Sequence, residues 1–334
     1  MEKEGLAMKK TYGKKVVGFV CLLVLGSVFS TLAGEIKYPT RAIEYVVPFP
    51  AGGGTDVAAR VIAKALSKEL GVPVNVTNKP GGNQIPGVLS VMSSPPHGYI
   101  LLADGSGSSS LQMLIKDLPY KVTDRTFVTR IMISPHAYIV HGKSPWNSLR
   151  DVMEAAKKDP GAFTWTWHGG NTTTDFSLLQ FFDVAGIDIT KTKRVPFQGT
   201  GPSSQAVAGG HVLFGSGGAS AMFSLFRSGN IKILAVTGDK RLPKLPEVSS
   251  CKEMGFPSLD VMFWVGISGP KDMPKTVVEK LVAVSRKIVE DGGVIKELEM
   301  VGAYPSLMGP EELSNQVARE AEAFKALARK AGTL

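Results

Sequence analysis

The sequence predicts an α/β fold in two lobes, each lobe a mostly parallel sheet flanked by helices. Three observations carry this prediction. Short apolar runs alternate with segments of helical periodicity, glycine-rich loops join several runs to the helix that follows, and the pattern restarts after residue 141. A chain of 334 residues, 43% of them hydrophobic and 20% charged, is long enough for two such units.

Residues 1–33 have the order of a cleavable export signal. Four lysines between positions 9 and 15 precede an apolar core over residues 16–25, and residues 31–33 offer small side chains for cleavage between Ala33 and Gly34. A membrane anchor is one alternative, but the apolar run is interrupted before it reaches the ~20 residues of a stable span. A lipoprotein is another, but Cys21 lies inside the apolar core and does not end it.

The charge balance argues against nucleic acid as a partner. Removing the leader would take away five lysines and two glutamates and leave a net charge of +6. This excess is spread along the chain, with no run of Lys and Arg suited to a phosphate backbone. It mildly favours a small anionic ligand. Cys251 would have no cysteine partner, so we expect a buried structural thiol and no intrachain disulfide.

The first part of the mature chain alternates strands with one clear helix. The helix is predicted over residues 55–70, where apolar side chains recur at helical spacing. Strands are predicted at residues 43–49, 72–78, 99–103, 127–133 and 137–141. The order of strand, helix and strand favours parallel pairing.

A break at residues 141–145 starts the second lobe. Helices are predicted at residues 148–158 and from 173, with strands at 163–167, 193–197, 212–215 and 231–237. A strand at 262–268 and helices at 274–290, 293–301 and 310–331 are expected to pack back on the first lobe. Lobe 1 is therefore residues 34–140 plus 262–334, and lobe 2 is residues 141–261. The chain would cross between them near 138–142 and 259–264, which suits hinge closure around a ligand.

The loop Pro48-Phe49-Pro50-Ala51-Gly52-Gly53-Gly54-Thr55-Asp56 is the strongest local signal. Its three glycines let a ligand approach the backbone, and the free N–H groups of the next helix suit a carboxylate or phosphate. Thr55 and Asp56 are candidates for capping that helix or contacting the ligand. A tight turn without a ligand is the alternative, and the Gly-Lys-Ser/Thr ending of a P-loop is missing.

A similar loop in the second lobe reads Trp167-His168-Gly169-Gly170-Asn171-Thr172-Thr173-Thr174-Asp175. An ordinary helix start needs one capping residue, so the excess of glycine, amide and hydroxyl groups indicates a ligand. We select Gly170, Asn171, Thr172 and Thr173 as candidate contacts. Strand alternation puts Phe163, Trp165 and Trp167 on one face. Trp167 is nearest the loop, where it would either stack on a ligand or pack in the core.

Three more loops of this kind span residues 104–110, 198–203 and 215–220. They supply Ser106, Gln198, Gly199 and Gly217 as candidate ligand contacts. Ligands of open α/β sheets lie beyond the carboxyl ends of the strands. Parallel sheets would bring all five loops together there.

Catalytic motifs are weak by comparison. The five histidines form no HExxH or other metal-ligand spacing, and no G-x-S-x-G elbow is present. His168 is the best candidate base for a nucleophile such as Ser106, against the alternative of a hydrogen-bonding loop histidine. We expect no catalytic residue, metal or cofactor. A secreted hydrolase or transferase using the same loops is the alternative function.

These residues resemble the solute receptors of the tripartite tricarboxylate transporters, the TctC or Bug family, over essentially the whole mature chain. The matching segments are Tyr38-Pro39-Thr40-Arg41-Ala42-Ile43, the loop from Val47 to Asp56, Asn78-Lys79-Pro80-Gly81-Gly82, Pro96-His97-Gly98-Tyr99, Val195-Pro196-Phe197-Gln198-Gly199, Leu234-Ala235-Val236-Thr237, Trp264-Val265-Gly266-Ile267 and Gly302-Ala303.

The resemblance implies a two-lobed periplasmic-binding-protein (Venus flytrap) fold without a cofactor. It implies small carboxylate ligands held by the loop from Phe49 to Asp56 and by the loops near Gly170 and Gln198. It also implies a periplasmic protein, expected to be monomeric, that passes its ligand to membrane permease subunits or signals through a sensor protein.

The chain departs from the family pattern at two places. Trp167 and His168 replace small residues, and Asp175 stands where the family commonly has histidine. Residues 215–218 lack the Asp-rich character often found there. Because of these departures, the relatives do not identify the ligand.

Overall fold

The computed structural model describes residues 37–334, so the predicted signal at residues 1–33 lies outside the described part. The folded unit runs from Arg41 to Leu334. Its strands are β1 (Ile43–Val47), β2 (Val74–Asn78), β3 (Ile100–Asp104), β4 (Arg125–His141), β5 (Thr164–Trp167), β6 (Lys193–Pro196), β7 (Gly215–Gly218), β8 (Ile231–Val236), β9 (Met262–Pro270) and β10 (Tyr304–Met308). Its α-helices are α1 (Gly54–Leu70), α2 (Ile85–Met92), α3 (Leu149–Lys158), α4 (Thr173–Ala185), α5 (Thr200–Ala208), α6 (Ala219–Arg227), α7 (Lys275–Glu290), α8 (Gly292–Met300) and α9 (Pro310–Lys330).

The long strand β4 connects two parts of the sheet. Up to Pro135 it pairs with β9, and β10 lies on its other side; from His136 onward it pairs with β7 and β8. The connected strand order is β10-β4-β9-β3-β1-β2. Pairing is parallel between β1 and its neighbours β2 and β3 and between β5 and β6, whereas β4 pairs antiparallel with all of its partners. The sheet is therefore mixed.

Two predicted boundaries are wrong. The strands predicted at 127–133 and 137–141 are the single strand β4. The pairing partner of β4 changes from β9 to β7 at Pro135, so the missing N–H of this proline removes few hydrogen bonds from either pair of strands. The glycine loop predicted at 215–220 is the strand β7 followed by the start of α6. The predictions also miss α2, α5 and α6, whose glycine and serine residues weaken the helical signal, and the short strand β10.

An aromatic core holds the loop of residues 167–175 in place. Rings of Phe181 and Phe214 lie 4.6 Å apart, and those of Trp165 and Phe182 lie 5.0 Å apart. Burying one such ring contributes about 1.5–3 kcal/mol, so this cluster firmly anchors β5 and α4 on either side of the loop. Cys251 is buried in the same cluster, as predicted.

The C-terminal helix α9 packs more widely than the sequence predicts. It packs against β4, as expected for a helix that returns to the first lobe, and also against α4 of the predicted second lobe. The rings of Phe324 on α9 and Phe176 on α4 lie 4.5 Å apart. Helix α9 therefore joins the two parts of the chain at their buried faces.

Candidate ligand-binding site

A cavity of about 700 Å³ lies where four helices begin. The first turns of α1, α4, α5 and α6 meet there, with side chains of β4 and the start of β9 completing the wall. The lining residues are Phe49, Gly52, Gly53, Gly54, Thr55, Val57, Ala58, Met132, Ser134, His136, Thr172, Thr173, Thr174, Thr200, Gly201, Gly218, Ser220, Ala221, Phe263, Val301 and Ala303. The cavity thus brings together seven of the predicted contacts: Phe49, Gly52, Gly53, Gly54, Thr55, Thr172 and Thr173.

The Asp56 carboxylate shapes the loop before α1. Its Oδ2 accepts the Gly52 N–H at 2.8 Å, where Gly52 takes a φ of +79° that favours glycine. Its Oδ1 accepts the Asn78 amide at 2.8 Å, and Arg60 donates to both oxygens at 3.0 Å. Burial acts to raise the pKa of Asp56, but the hydrogen bonds from Arg60, Gly52 and Asn78 outweigh it and hold the pKa below its usual value. Asp56 therefore stabilises the loop through these hydrogen bonds and does not line the cavity.

The Asp175 carboxylate does the same for the loop before α4. Its side chain is fully buried and accepts the His168 N–H at 2.7 Å, the Gly170 N–H at 2.9 Å and the Thr172 hydroxyl at 2.9 Å. In return, the Asp175 N–H donates to the Thr172 hydroxyl at 3.1 Å, which caps the helix. The aspartate that departs from the family pattern is thus the organiser of this loop.

The electrostatics of the cavity favour an anion. A helix start leaves N–H groups without intrahelical partners and carries about half a positive charge. The N-caps of α1, α5 and α6 are Gly53, Gly199 and Gly218, and none of them offers a capping side chain. Among the lining residues in the described chain, no side chain is Asp, Glu, Lys or Arg. Backbone dipoles and hydroxyl groups would therefore do the binding.

One face of β4 adds residues that sequence reasoning missed. Met132, Ser134 and His136 alternate along the strand and all line the cavity. Because two separate strands were predicted on either side of Pro135, the alternation across residues 132–136 was missed. Thr200, Ser220 and Phe263 were also missed; the first two lie in glycine-rich segments that were predicted, and Phe263 gives no local signal.

The other predicted contacts lie outside the cavity lining, and their contact with ligand stays a prediction. Trp167 packs edge to face on Trp165 at 5.4 Å and lies under the Arg194 guanidinium at 5.3 Å. Gly170 has a φ of +85°, and its N–H donates to the Asp175 carboxylate. Asn171 donates to the Asn83 side chain at 2.9 Å.

The remaining four candidates are also absent from the cavity lining. Gln198 is exposed, and Gly199 is the N-cap of α5 with a φ of +100°. Gly217 pairs with Ala137 inside the sheet, and a Cβ there would collide with Thr200. Ser106 is buried in a short 3₁₀ turn beside the Glu320 carboxylate. Burial raises the pKa of Glu320, and hydrogen bonds from its neighbours partly offset the rise.

A serine, a histidine and an aspartate do come together near the site. His168 Nε2 lies 3.1 Å from Ser203 Oγ, and His168 Nδ1 lies 3.6 Å from Asp175 Oδ1. The Ser203 hydroxyl donates to the Thr200 carbonyl at 3.0 Å, and neither Ser203 nor His168 lines the cavity. The Nδ1 distance is too long for a hydrogen bond, so the aspartate does not orient the imidazole as a catalytic triad requires.

Within residues 37–334, no group of three or more His, Cys, Asp or Glu side chains is placed to hold a metal ion. No helix in the same range has the length and apolar character needed to cross a membrane.

The chain matches a known protein family along most of its length. The family described as Tripartite tricarboxylate transporter family receptor matches residues 58–333. The chain belongs to this family. The receptor is therefore an extracytoplasmic solute-binding protein, as the sequence predicts, and its relatives are binding proteins as a class.

Relatives and solved structures match the receptor along most of its length. Protein BugT of Bordetella pertussis is 29% identical over 301 residues, which are 88% of this chain and 90% of BugT. The UPF0065 protein in the tcbD-tcbE intergenic region of Pseudomonas sp. (strain P51) is 28% identical over 318 residues, 94% of this chain and 93% of the relative.

Two solved structures confirm the fold class. The periplasmic binding protein BugD superposes with a TM-score of 0.72 at 28% identity, covering 89% of this chain and 99% of BugD. R. palustris Rpa4515, solved with adipate, gives a TM-score of 0.75 at 26% identity and covers 88% of this chain and 98% of that protein. The receptor thus has the α/β periplasmic-binding-protein fold.

Proposed function

We propose that the receptor captures a small organic acid, as its carboxylate anion, in the cavity between lobe 1 (residues 34–140 plus 262–334) and lobe 2 (residues 141–261). It works as a periplasmic monomer without catalysis and delivers the acid to the membrane permease subunits of a tripartite tricarboxylate transporter. Residues 1–33 direct export and are cleaved before Gly34.

The observation that carries this proposal is the meeting of four helix starts at one cavity without charged lining side chains. Each helix start attracts negative charge through its N–H groups and its dipole. No residue of the lining is acidic, so no lining side chain repels an anion. Helix α1 comes from lobe 1 and helices α4, α5 and α6 from lobe 2, so acid groups at both ends of a ligand would find donors.

The apolar parts of the wall favour an organic acid over an inorganic anion. Phe49, Met132, Phe263 and Ala303 lie between the helix starts and offer carbon surface that phosphate or sulfate would not use. A carbon chain with acid groups fits both surfaces. The solved relative with adipate, a six-carbon diacid, supports the same ligand class.

The connections between the proposed lobes suit closure around the ligand. The chain passes between them only at the end of β4 and at the start of β9, and the Asn171 amide donates to Asn83 across the cleft at 2.9 Å. A hinge needs few crossing segments, and a hydrogen bond at the mouth stabilises the closed form. The buried Ser203, whose hydroxyl donates to the Thr200 carbonyl, supports binding over hydrolysis.

Cavity-filling glycine variants test the site. A Cβ at Gly54 would lie 4.0 Å from Phe263 Cε1, and a Cβ at Gly218 would have nothing within 4 Å, so a side chain can begin at either position without a clash of its Cβ. Gly53 is less suitable because its Cβ would lie 3.2 Å from the Pro50 carbonyl oxygen. The matched control is Gly292→Val, at an exposed position with nothing within 4 Å.

The mature protein, residues 34–334, is screened by thermal shift against di- and tricarboxylic acids, and hits are measured by calorimetry. An acid at 100 times its Kd should stabilise the protein by about 2.7 kcal/mol. Gly54→Val and Gly218→Val should each weaken binding by about tenfold or more, with Gly292→Val unchanged. If both cavity variants bind the acid as the wild type does, the site lies elsewhere; if no acid binds, the ligand class is wrong.

A further inference from the structure

Gly302 lies against the first turn of α6 at one side of the cavity. A Cβ built on Gly302 would lie 2.7 Å from the Ser220 Cβ, 3.0 Å from the Ser220 nitrogen and 3.1 Å from the Ser220 Cα. Gly302 belongs to the proposed lobe 1 and Ser220 to the proposed lobe 2, so the two lobes meet here. Ser220 lines the cavity, and so do its neighbour Ala221 and the neighbours of Gly302, Val301 and Ala303.

This contact leaves no room for a side chain at position 302. The three Ser220 atoms nearest to the added Cβ are its nitrogen, its Cα and its Cβ, and the backbone of α6 fixes all three. A change of rotamer cannot move any of them, and packed protein interiors compress little. A residue larger than glycine would therefore push the start of α6 away from lobe 1.

The end of helix α8 explains the conformation of Gly302 but not this close approach. Gly302 has a φ of +70°, and its N–H donates to the Glu299 carbonyl at 3.1 Å, as is common for a glycine after a helix. Gly71 ends α1 with the same φ of +70°, yet a Cβ on Gly71 would have nothing within 4 Å in the described chain. The two glycines share a conformation and differ in what lies beside them.

The contact lies close to the place where the chain passes between the lobes. The Ser134 hydroxyl on β4 donates to the Gly302 carbonyl at 2.7 Å, which fixes the lobe 1 side of the contact. Two residues further along β4, His136 pairs with Gly218, the residue directly before α6. A displacement near a hinge grows with distance from it, so a small separation of Gly302 from Ser220 would widen the far side of the cavity by more.

The width of the cavity decides which acid can reach donors at both ends. The start of α1 lies in lobe 1, whereas the starts of α4, α5 and α6 lie in lobe 2, so the distance between these donors changes as the lobes close. A diacid that bridges them must have a carbon chain of matching length, because both acid groups need donors at hydrogen-bonding distance. The point at which Gly302 meets Ser220 thus limits how short that chain can be.

We propose that Gly302 is a positioning residue that stops lobe closure against Ser220 and thereby sets the chain length of the acid that the receptor selects. This inference rests on the proposed function, and it adds a specificity-determining contact that does not require Gly302 to touch the ligand.

The test measures affinities for the linear diacids succinate, glutarate, adipate and pimelate by calorimetry at pH 7.5. Gly302→Ala holds the lobes further apart, so the ratio of its affinity for pimelate to its affinity for succinate should rise about tenfold over the wild-type ratio. Gly71→Ala is the matched control, because it has the same backbone strain without the contact, and it should keep the wild-type ratio. Ser220→Gly removes the Cβ that faces Gly302 and should shift the preference toward the shorter acids.

Small-angle scattering separates a closure stop from a purely structural role. With the tightest-binding of the four diacids at saturation, Gly302→Ala should have a larger radius of gyration than the wild type and Gly71→Ala. Strain alone would lower the stability of both alanine variants and leave their radii alike, because alanine is unfavourable at a φ of +70° in either place. If Gly302→Ala does not fold, Ser220→Gly carries the test through its opposite shift in chain length.

Three results overturn the inference. Equal changes in affinity for all four diacids in Gly302→Ala and Ser220→Gly remove the contact from chain-length selection but leave the proposed function standing. A wild-type radius of gyration in liganded Gly302→Ala would show that alanine fits without moving the lobes. Binding of none of the four diacids overturns the inference, and binding of no acid in the thermal-shift screen overturns the proposed function as well.

Discussion

Asp175→Asn tests whether one buried carboxylate holds the loop of residues 167–175 in its fold. Asp175 Oδ1 accepts the His168 N–H at 2.7 Å, and Oδ2 accepts the Gly170 N–H at 2.9 Å and the Thr172 hydroxyl. Asparagine keeps the shape but replaces one oxygen with an NH₂ group. Whichever way the amide turns, at least one backbone N–H then faces a donor.

The magnitude follows from these bonds. A buried donor left without an acceptor costs about 1–3 kcal/mol, and the bonds that remain lose the strength that a charged acceptor provides. We expect Asp175→Asn to lower the free energy of unfolding by about 2–4 kcal/mol. Because Thr172 and Thr173 line the cavity, release of the loop should also weaken ligand binding by about tenfold, or ~1.4 kcal/mol.

Urea denaturation at pH 7 and calorimetry with the best acid from the screen measure the two effects. The matched control is Asp188→Asn, where the carboxylate caps a 3₁₀ turn at an exposed position. Asn and Asp are similar caps, so this change should cost less than about 0.5 kcal/mol. Wild-type stability and affinity in Asp175→Asn would refute the role assigned to the carboxylate.

Two further predictions concern buried carboxylates and their partners. The pKa of Asp56 is lowered in the folded state, so the ionised carboxylate stabilises the fold. The free energy of unfolding of the wild type should exceed that of Asp56→Asn by its full amount above the usual carboxyl pKa of about 4, and this difference should shrink as the pH falls below that value. A difference that does not change with pH in urea titrations would contradict this. Arg125→Met leaves Asp104 buried without its 3.1 Å ion pair and should cost about 3–5 kcal/mol, whereas Lys271→Met, which breaks an exposed pair, should cost less than about 1 kcal/mol; equal costs in urea denaturation would rule out burial as the cause.

Local patterns in the sequence determined the class of fold and the loops of the site. The glycines and hydroxyls around Gly53 and Thr173 predict helix starts whose N–H groups suit an anion, because the residue types of a helix start are readable from a few consecutive residues. Both loops line the cavity. The alternation of apolar runs and helical segments likewise predicts the α/β class, since each period is readable within about ten residues.

The sequence left the role of Asp56 open between helix cap and ligand contact, and it marked Asp175 only as a departure from the family pattern. The structure shows both carboxylates turned back to accept N–H groups of the preceding loop, at Gly52 in one case and at His168 and Gly170 in the other. Such bonds depend on the path of the loop, which the residue types alone do not specify.

Only the tertiary structure decided which residues of β4 face the cavity. Pro135 interrupts the local strand pattern, yet β4 continues through it because β9 and β7 pair with the strand on either side of that residue. This long-range pairing places Ser134 and His136 on the cavity wall, and it is absent from any local window of sequence. The physical reason is that a strand is stabilised by neighbours distant in the chain, so its course and the direction of its side chains are settled only when the sheet forms.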